Sequence, residues 1–578
     1  MVNLKINGID VQAEDNATVL EAAQKAGIHI PTLCHLKDIN QIGACRVCLV
    51  EIKGARALAA SCVMPVNEGM EVYTNSPAVR KARKSTVELI LSNHRCECLT
   101  CVRNGECELQ EVSRDLGITE VGFECIGTGT IDDISPSIVR DATKCILCRR
   151  CIAACGKIQQ IGAIGLQNRG YNTTIGSAFD MPLADSNCVN CGQCINVCPV
   201  GALYEKDETK VVWDAIGNPD KHVVIQAAPA VRAALGEEFG MPIGTNVTGK
   251  MAAALRRIGV DKVFDTNFGA DLTIMEEGTE FLERFKNGGK LPMITSCSPG
   301  WIKYCEHNYH DLLDNLSSCK SPHEMEGAVI KSFYAEKNGI DPKNIFVVSV
   351  MPCTAKKFEA KREELSGTGY PDVDAVITTR EFAKMIRTAG IDFVNLPDEG
   401  FDDMLGDYSG AGVIFGVTGG VMEAALRTVA EIVNGEPLGS VDFNEVRGFK
   451  GIKEATINLK GVDVRIAVAH GTASAKELLD RVRAGEKFDF IEIMGCPSGC
   501  INGGGQPHVS AKVRRTVDYI PLRAKALYSE DAAKTIRKSH ENPSIKKLYE
   551  EYFEKPGSHK SHKLLHTPGY TARDKFGK

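Results

Sequence analysis

The chain has 578 residues, a formal net charge of −6 and 23 cysteines. That length exceeds what one hydrophobic core organises, so several domains are expected, and so weak a charge gives no electrostatic reason for a nucleic-acid or membrane partner. No basic region followed by an apolar stretch opens the sequence at Met1-Val-Asn-Leu-Lys-Ile, and no run of about 18 apolar residues occurs later, so a cytoplasmic protein without membrane insertion is expected. In a reducing compartment, closely spaced cysteines read as metal ligands or reactive thiols rather than disulfides.

Residues 1–78 begin with an alternating strand, Val2 to Asn7, then a turn at Gly8 and a helix over Thr18–Ala26 stopped by Gly27, the pattern of a small α+β domain. Within it Cys34, Cys45, Cys48 and Cys62 follow Cx10Cx2Cx13C, with Gly43-Ala44 as a small-residue loop before the central pair. Four thiolates in that pattern suit a 2Fe-2S cluster, the alternative being structural zinc, and the domain resembles plant-type ferredoxins with a longer loop between the first two ligands. A basic helix, Ala78 to Asn93, then leads into residues 79–125, where His94, Cys98, Cys101 and Cys107 form Hx3Cx2Cx5C. By spacing alone this site admits zinc or an iron–sulfur cluster with one imidazole ligand; a neutral imidazole in place of a thiolate removes negative charge and raises a cluster's potential. Cys96 and Cys125 are left over as non-ligand thiols.

Residues 138–208 carry an internal duplication. Cys145, Cys148, Cys151 and Cys155 repeat as Cys188, Cys191, Cys194 and Cys198, both Cx2Cx2Cx3C, the second followed by Pro199. In that pattern the fourth cysteine ligates the other cluster, which groups Cys145, Cys148, Cys151 and Cys198 around one 4Fe-4S cluster and Cys188, Cys191, Cys194 and Cys155 around its neighbour. From His222 onward cysteine thins out, and short apolar strands, His222–Gln226, Asn344–Val350 and Val464–Ala469, alternate with helical segments, implying a large α/β domain over 210–520. A charged, helical segment, 521–578, follows, and its last twenty residues, basic and His-containing, are expected to be an exposed tail or partner-docking segment.

Four islands stand in the large domain: Thr295-Ser-Cys-Ser-Pro-Gly-Trp301, Met351-Pro-Cys-Thr-Ala-Lys-Lys-Phe-Glu359, Phe490-Ile-Glu-Ile-Met-Gly-Cys496-Pro-Ser-Gly-Cys500 and Gly503-Gly-Gly-Gln-Pro507. Cysteines so far apart meet only through tertiary folding, which favours a buried cofactor over a zinc knuckle. The islands resemble the three signature motifs of iron-only ([FeFe]) hydrogenases, and the likeness extends over essentially the whole chain, including the order of the N-terminal cluster domains. It implies a multidomain α+β and α/β protein: a β-grasp 2Fe-2S ferredoxin domain, a His/Cys cluster domain, a bacterial-type two-4Fe-4S ferredoxin domain and a large α/β hydrogenase domain. The implied cofactors are one 2Fe-2S cluster, three 4Fe-4S clusters of which one has a His ligand, and the H-cluster, a 4Fe-4S cubane joined through a thiolate to a di-iron unit carrying CO, cyanide and azadithiolate.

By motif match Cys353, Cys496 and Cys500 are cubane ligands, with Cys500 as the bridge to the di-iron unit. The first motif departs from the common form, which has two adjacent cysteines, a proton relay and then a cubane ligand. A gapless match makes Cys297 the relay and leaves Ser298 at the ligand position, whereas the preference of iron–sulfur chemistry for thiolate makes Cys297 the ligand with Ser298 beside the proton route; the second placement is favoured. The match sets Lys356, three residues before Glu359, against a cyanide ligand, lines the pocket with Met351, Pro229 and Phe415, and puts Ala230 where many relatives have serine, removing one hydrogen bond to cyanide. Glu277, Glu280, Ser317 and Arg284 match the relay positions, and the spacing of Glu277, Glu280 and Arg284 puts them on one helix face; without the resemblance that face is simply charged.

The implied activity is the reversible combination of two protons and two electrons to H2, with electrons relayed through the N-terminal clusters. The Cys-Ser form is similar to catalytic subunits of multisubunit, NAD(P)-linked or electron-bifurcating hydrogenases, which implies a hetro-oligomer whose electron partners are ferredoxin and/or a flavin- and NAD(P)-binding subunit. No GxGxxG or Walker-type loop stands in a strand–turn–helix context, so a nucleotide would sit on another chain. The rivals are a hydrogen sensor, for which no sensory domain is seen, and an iron–sulfur scaffold of the nuclear-prelamin-recognition type, against which Lys356, Glu359 and the relay glutamates speak.

Overall fold

The structure, a computed structural model, describes residues 1–124 and 129–574; Cys125 lies outside the described residues. At the N-terminus Val2–Ile6 and Ile9–Ala13 form an antiparallel hairpin whose two-residue turn, Asn7-Gly8, has φ of 52° and 83°. Two successive positive φ values are what a type I′ hairpin turn requires, and Asn-Gly supplies them at least cost. The Val19–Lys25 helix starts on a capping box: Thr18 accepts from the Glu21 N–H while the Glu21 carboxylate accepts from the Thr18 N–H. Its Val19, Leu20, Ala22 and Ala23 close over Leu4, Ile6 and Val11 of a five-stranded sheet ordered 9–13, 2–6, 71–73, 49–52, 59–60.

The Pro77–Ser92 helix, capped by Ser76, carries the chain to the His94–Cys107 segment and the Glu108–Asp115 helix. The duplication at 145–198 is visible in the backbone. Leu147 and Arg149 in the first repeat, and Asn190 and Gly192 at the equivalent positions of the second, all have positive φ, 53°, 64°, 59° and 68°. Left-handed residues alternating with right-handed ones turn successive N–H groups inward as an anion-binding concavity. The Leu147 and Asn190 N–H groups accordingly point at the Cys145 and Cys188 sulfurs, at 3.5 and 3.4 Å.

Two four-stranded sheets organise the large domain. One is wholly parallel, ordered 262–265, 222–227, 345–351, 375–378; the other is ordered 293–294, 490–494, 462–470, 452–459 and is parallel except for its last pair. Strands buried on both faces read as unbroken apolar runs, as Val223–Ile225 and Val347–Val348 do. The Thr266–Lys286 helix packs across the Pro322–Val329 helix so closely that a Cβ on Gly269 would lie 2.3 Å from the Pro322 carbonyl oxygen.

The C-terminal segment is tied down by buried ions. Arg427 binds Asp531 at 2.8 Å and Glu423 at 2.7 Å, Arg232 binds Glu530 at 3.0 Å, and Arg523 binds Glu237 at 2.7 Å. The exposed tail expected for the last residues is corrected by the fold through residue 574. Ser561, Leu564, Leu565 and His566 are buried, Tyr570 donates to the Ser317 carbonyl at 2.7 Å, and Arg573 pairs with Glu306 at 2.7 Å. Composition misled because Lys560 and Lys563 face solvent while Ser561, Leu564 and Leu565 face the core, an amphipathic division that a net basic count conceals.

The ferredoxin domain meets the large domain through backbone. Gly192 and Gly504 approach so closely that a Cβ on Gly504 would sit 2.3 Å from the Cys191 carbonyl oxygen and 2.6 Å from the Gly192 Cα. Gln193 and Asn196 donate to the Asn502 and Gly503 carbonyls at 2.8 and 3.0 Å, and Gln159 donates to Gly495 at 2.8 Å. Gly504→Ala is therefore expected to force the two loops apart and to lower stability by about 1–3 kcal/mol, the usual cost of overpacking, read as a lower thermal midpoint under anaerobic conditions.

Candidate active site and electron relay

Three of the four islands, together with Pro229 and Ala230, meet at one place because the parallel strands that precede them stop there. Pro229 and Ala230 follow the 222–227 strand, Cys353 follows 345–351, Cys297 follows 293–294, and Cys496 follows 490–494. The C-terminal edges of two parallel sheets thus face a shared cavity, the position where open α/β folds bind ligands. Its wall includes Pro229, Ala230, Met351, Phe415, Cys297, Ser298, Cys353, Lys356, Cys496 and Cys500 from the sequence-derived set, with His323 and Met494 added by the fold. Gly503 closes the floor against Pro352: a Cβ there would meet the Pro352 carbonyl oxygen at 2.1 Å.

Cys353, Cys496 and Cys500 converge; burial raises each thiol's pKa, and the field of Cys353 raises Cys496 and Cys500 further. Three thiols held in a dry pocket are costly neighbours unless a cation takes their protons' place, so this donor set fits an iron–sulfur cubane. Lys356 Nζ lies 2.7 Å from Glu359 Oε2 and 3.2 Å from the Cys297 carbonyl oxygen. Burial works against the lysine's charge, but Glu359 outweighs it and holds the pKa above the ordinary lysine value. Burial likewise opposes the Glu359 charge, and Lys356 overcomes it, setting that carboxyl to about 2. A fixed cation therefore faces the cavity. Ala230 is fully buried there and offers only its backbone, whose carbonyl accepts from Gln506 at 2.8 Å.

His323 had no signal in the sequence. Its Nε2 is 2.7 Å from Glu359 Oε2 and its Nδ1 3.1 Å from Ser349 Oγ, and burial with the Lys356 charge lowers its pKa to about 4. The ring is thus neutral, donating from Nε2 and accepting at Nδ1, and it steadies the carboxylate that steadies the lysine.

The Cys-Ser pair divides. After burial, the strongest influence on Cys297 is Glu277, and Cys297 packs with residues of the Ala270, Phe415 and Met494 cluster. Ser298 Oγ instead accepts the Gly495 N–H at 3.0 Å, immediately beside Cys496. Ser298 thus contacts the loop that carries Cys496, while Cys297 lines the same cavity as Cys353, Cys496 and Cys500.

Glu277 is fully buried with neither oxygen in a full hydrogen bond; the Ser317 hydroxyl and the Ser296 N–H are polar neighbours that act on it. Burial and the neighbouring Glu280 raise its pKa to about 8. Ser317 Oγ donates to Glu280 Oε2 at 2.8 Å, and Arg284 Nη2 binds Glu280 Oε1 at 2.5 Å with its side chain 19% exposed. Glu277, Ser317, Glu280 and Arg284 therefore run from the cavity to the surface.

The N-terminal cysteine sites adjoin one another. Cys34 and Cys45 exchange N–H···S contacts at 3.4 and 3.5 Å, and Cys48 and Cys62 sulfurs are 3.4 Å apart, a four-thiol cradle. Asn40 in that loop donates to the Cys148 carbonyl at 3.1 Å. His94, Cys98, Cys101 and Cys107 line one cavity, and the buried His94 Nδ1 has no hydrogen-bond partner among the described residues. This site touches the same part of the ferredoxin domain: a Cβ on Gly201 would lie 2.6 Å from Cys101 Sγ. Cys145, Cys148, Cys151 and Cys198 line one small cavity, and Cys155 acts on Cys188, Cys191 and Cys194. The crossed pairing read from the spacing is the arrangement in which these thiols meet. Cys96 is exposed, lines the same cavity as His94, and donates from Sγ to the His94 carbonyl at 3.3 Å.

Residues 221–504 match the model described as iron-only hydrogenase large subunit, C-terminal domain, and 517–573 match iron hydrogenase small subunit. Residues 1–77 match a 2Fe-2S iron–sulfur cluster binding domain, 83–122 the NADH-ubiquinone oxidoreductase-G iron–sulfur binding region and 144–202 a 4Fe-4S dicluster domain. The chain is similar to NADP-reducing hydrogenase subunit HndD of Solidesulfovibrio fructosivorans, 50% identical with 98% of each chain covered, and to iron hydrogenase 1 of Clostridium pasteurianum, 44% identical with 98% of this chain and 99% of the other covered. Among solved structures it resembles apo [FeFe]-hydrogenase HydA1 of Chlamydomonas reinhardtii, with a TM-score of 0.57, 43% identity, and 64% of this chain and 100% of the other covered.

A carboxyl that changes charge near pH 8 would leave a kinetic mark on any reaction whose protons it carried. Wild-type hydrogen evolution is expected to fall as pH rises through about 8, because Glu277 is protonated below that value and charged above it. Glu277→Gln is expected to lose about 10²-fold or more in rate and to be flat across that interval, checked by dye-linked rates from pH 6 to 9.5.

Proposed function

The chain belongs to the iron-only hydrogenase family, and on that footing we propose that it catalyses 2 H+ + 2 e− ⇌ H2 as the catalytic subunit of a hetero-oligomer whose electrons exchange with ferredoxin and/or NAD(P) through a flavin-bearing partner. The observation that carries this reading is the meeting, in one dry cavity, of three thiols and a fixed cation with a proton-carrying side-chain series that leads to solvent. Cys353, Cys496 and Cys500 would hold the H-cluster, which when bound supplies the iron chemistry that makes and breaks hydrogen. Lys356 would neutralise anionic ligands, and its pairing with Glu359 and His323 keeps that charge in place without water. Pro229, Met351, Phe415 and Met494 exclude solvent.

For protons we assign Cys297 to the inner end of the series, followed by Glu277, Ser317, Glu280 and Arg284. This reverses the preference from ligand chemistry: the contact of Ser298 with Gly495 supports a hydroxyl at the fourth cubane position and frees the thiol to face Glu277. Electrons would enter at the 2Fe-2S site or the His94 site, cross the 4Fe-4S pair and reach the cubane across the Gly192–Gly504 contact. The subunit role is favoured by the similarity along nearly the full length of an NADP-reducing hydrogenase subunit; a cytoplasmic location goes with it, and no described helix is long and apolar enough to cross a membrane. Lys356, Glu359 and the complete proton series favour turnover over a scaffold role.

Anaerobically matured protein is expected to show infrared stretching bands of CO and cyanide and to evolve hydrogen from reduced dye; absence of both overturns the proposal. Cys297→Ala is expected to retain the cubane's electron paramagnetic resonance signal while losing about 10²–10⁴-fold in rate, whereas Ser298→Ala shifts the signal itself. The opposite pattern returns the ligand position to Cys297.

A further inference from the structure

We propose that Glu280, Cys319 and His566 form a binding site for a zinc-class divalent cation, and that the bound ion halts turnover by taking Glu280 out of the proton series. The three ligand atoms, a Glu280 carboxylate oxygen, Cys319 Sγ and His566 Nδ1, lie within 4.8 Å of one another. Sγ is 3.7 Å from Glu280 Oε2 and 3.9 Å from Nδ1. Tetrahedral zinc with bonds of about 2.0–2.3 Å holds its ligand atoms about 3.2–3.6 Å apart, so a few tenths of an ångström of closure completes the site.

A second observation concerns the far side of the histidine. His566 Nε2 is 3.0 Å from Glu276 Oε2, and Glu276 is itself fixed by the Tyr549 hydroxyl at 2.6 Å and the Gly557 N–H at 3.0 Å. A carboxylate on one ring nitrogen holds the proton there and turns the other nitrogen's lone pair outward, the support that metal-binding histidines use. Nδ1 faces the cysteine and Ser318 Oγ, the latter at 2.8 Å. Two anionic ligands, carboxylate and thiolate, balance a divalent charge; the Cys319 proton leaves as the ion enters. Thiolate, imidazole and carboxylate together select zinc over magnesium or calcium. Access is from the Glu280 side, whose side chain is 12% exposed.

Two other histidine–carboxylate clusters among the described residues carry no thiol, and a lysine ammonium sits 2.7 Å from Glu359 in the His323 cluster and 2.7 Å from both Glu431 and Glu541 in the His540 cluster. Among the described residues no lysine or arginine pairs with Cys319 or His566; Arg284 holds Glu280 by Oε1, and the Ser318 N–H donates to Oε1 and Oε2 at 3.2 and 3.1 Å. Oε2 is also the atom to which Ser317 donates, at 2.8 Å, so an ion there breaks the series between Ser317 and Glu280.

The inhibitory half rests on the proposed proton series, and the test separates the two. Matured holoenzyme is titrated with zinc chloride, desalted and assayed both for zinc by mass spectrometry and for hydrogen evolution; Cys319→Ala and His566→Asn are treated alike. Expected are one zinc per chain above the variants' content, a zinc absorption edge fitted with a single sulfur at about 2.3 Å, rate loss reversed by chelator, and a tenfold or greater rise in the zinc needed for inhibition in either variant, with the metal-free rate of Cys319→Ala unchanged. Equal zinc content in wild type and variants overturns the site. Zinc bound through this sulfur with the rate unchanged overturns the place of Glu280 in the proton series instead.

Discussion

The structure depends on the approach of two backbone segments of the chain to van der Waals contact. Gly192 of the ferredoxin loop and Gly504 of the large domain leave room for no side chain between them, and Gly503 and Gly505 press in the same way on Pro352 and Thr378. Electron transfer falls steeply with separation, so each side chain's width inserted here would lengthen the gap between neighbouring cofactors. The flanking residues then serve the contact. Arg380, buried, donates to the Gly504 carbonyl at 2.8 Å while paired with Glu205 at 2.7 Å, and Thr354 donates to Asn190 at 2.7 Å.

A cavity closed so tightly must settle its charges without water. Lys356, Glu359 and His323 do so as a unit: the neutral ring donates to the carboxylate, the carboxylate holds the ammonium, and the ammonium faces the thiols. Removing Lys356 or Glu359 leaves the other's buried charge unpaired, which typically costs about 3–5 kcal/mol. On the other side of Cys297 the solution is the reverse. Glu277 has no salt-bridge partner among the described residues, and burial with the neighbouring Glu280 raises its pKa to about 8, so that it holds a proton near neutrality.

What could be read beforehand followed from local rules. The Asn7-Gly8 turn, the Thr18 cap and the repeated Cx2Cx2Cx3C are encoded within a few residues, and they fold as their spacing implies. The face shared by Glu277, Glu280 and Arg284 is likewise a matter of helical period. His323 and Cys319 could not be found this way, because their partners Glu359 and His566 lie 36 and 247 residues away and only the tertiary fold brings them close. The Cys297-Ser298 pair was readable as a departure but not in its consequence: thiolate affinity for iron is a chemical preference, whereas the direction each side chain takes is fixed by the strand end and by Gly495. The last residues misled for a related reason, since burial depends on which side of a helix a leucine occupies and not on how many lysines flank it.

The contacts of the two outer cluster sites have a further consequence. The loop of Cys34 reaches the ferredoxin domain at Cys148, and the site of Cys101 reaches it beside Cys198 at Gly201; Cys148 and Cys198 belong to the same group of four thiols. With clusters held at both sites, as proposed, the wiring would be a fork and not a single line. Two inlets feed one node in parallel, and only beyond it does the circuit run in series. Damage to one inlet leaves the other conducting, while damage at the node disconnects both, and donors of unlike potential at the two inlets would deliver their electrons to the catalytic end at the potential of that shared node.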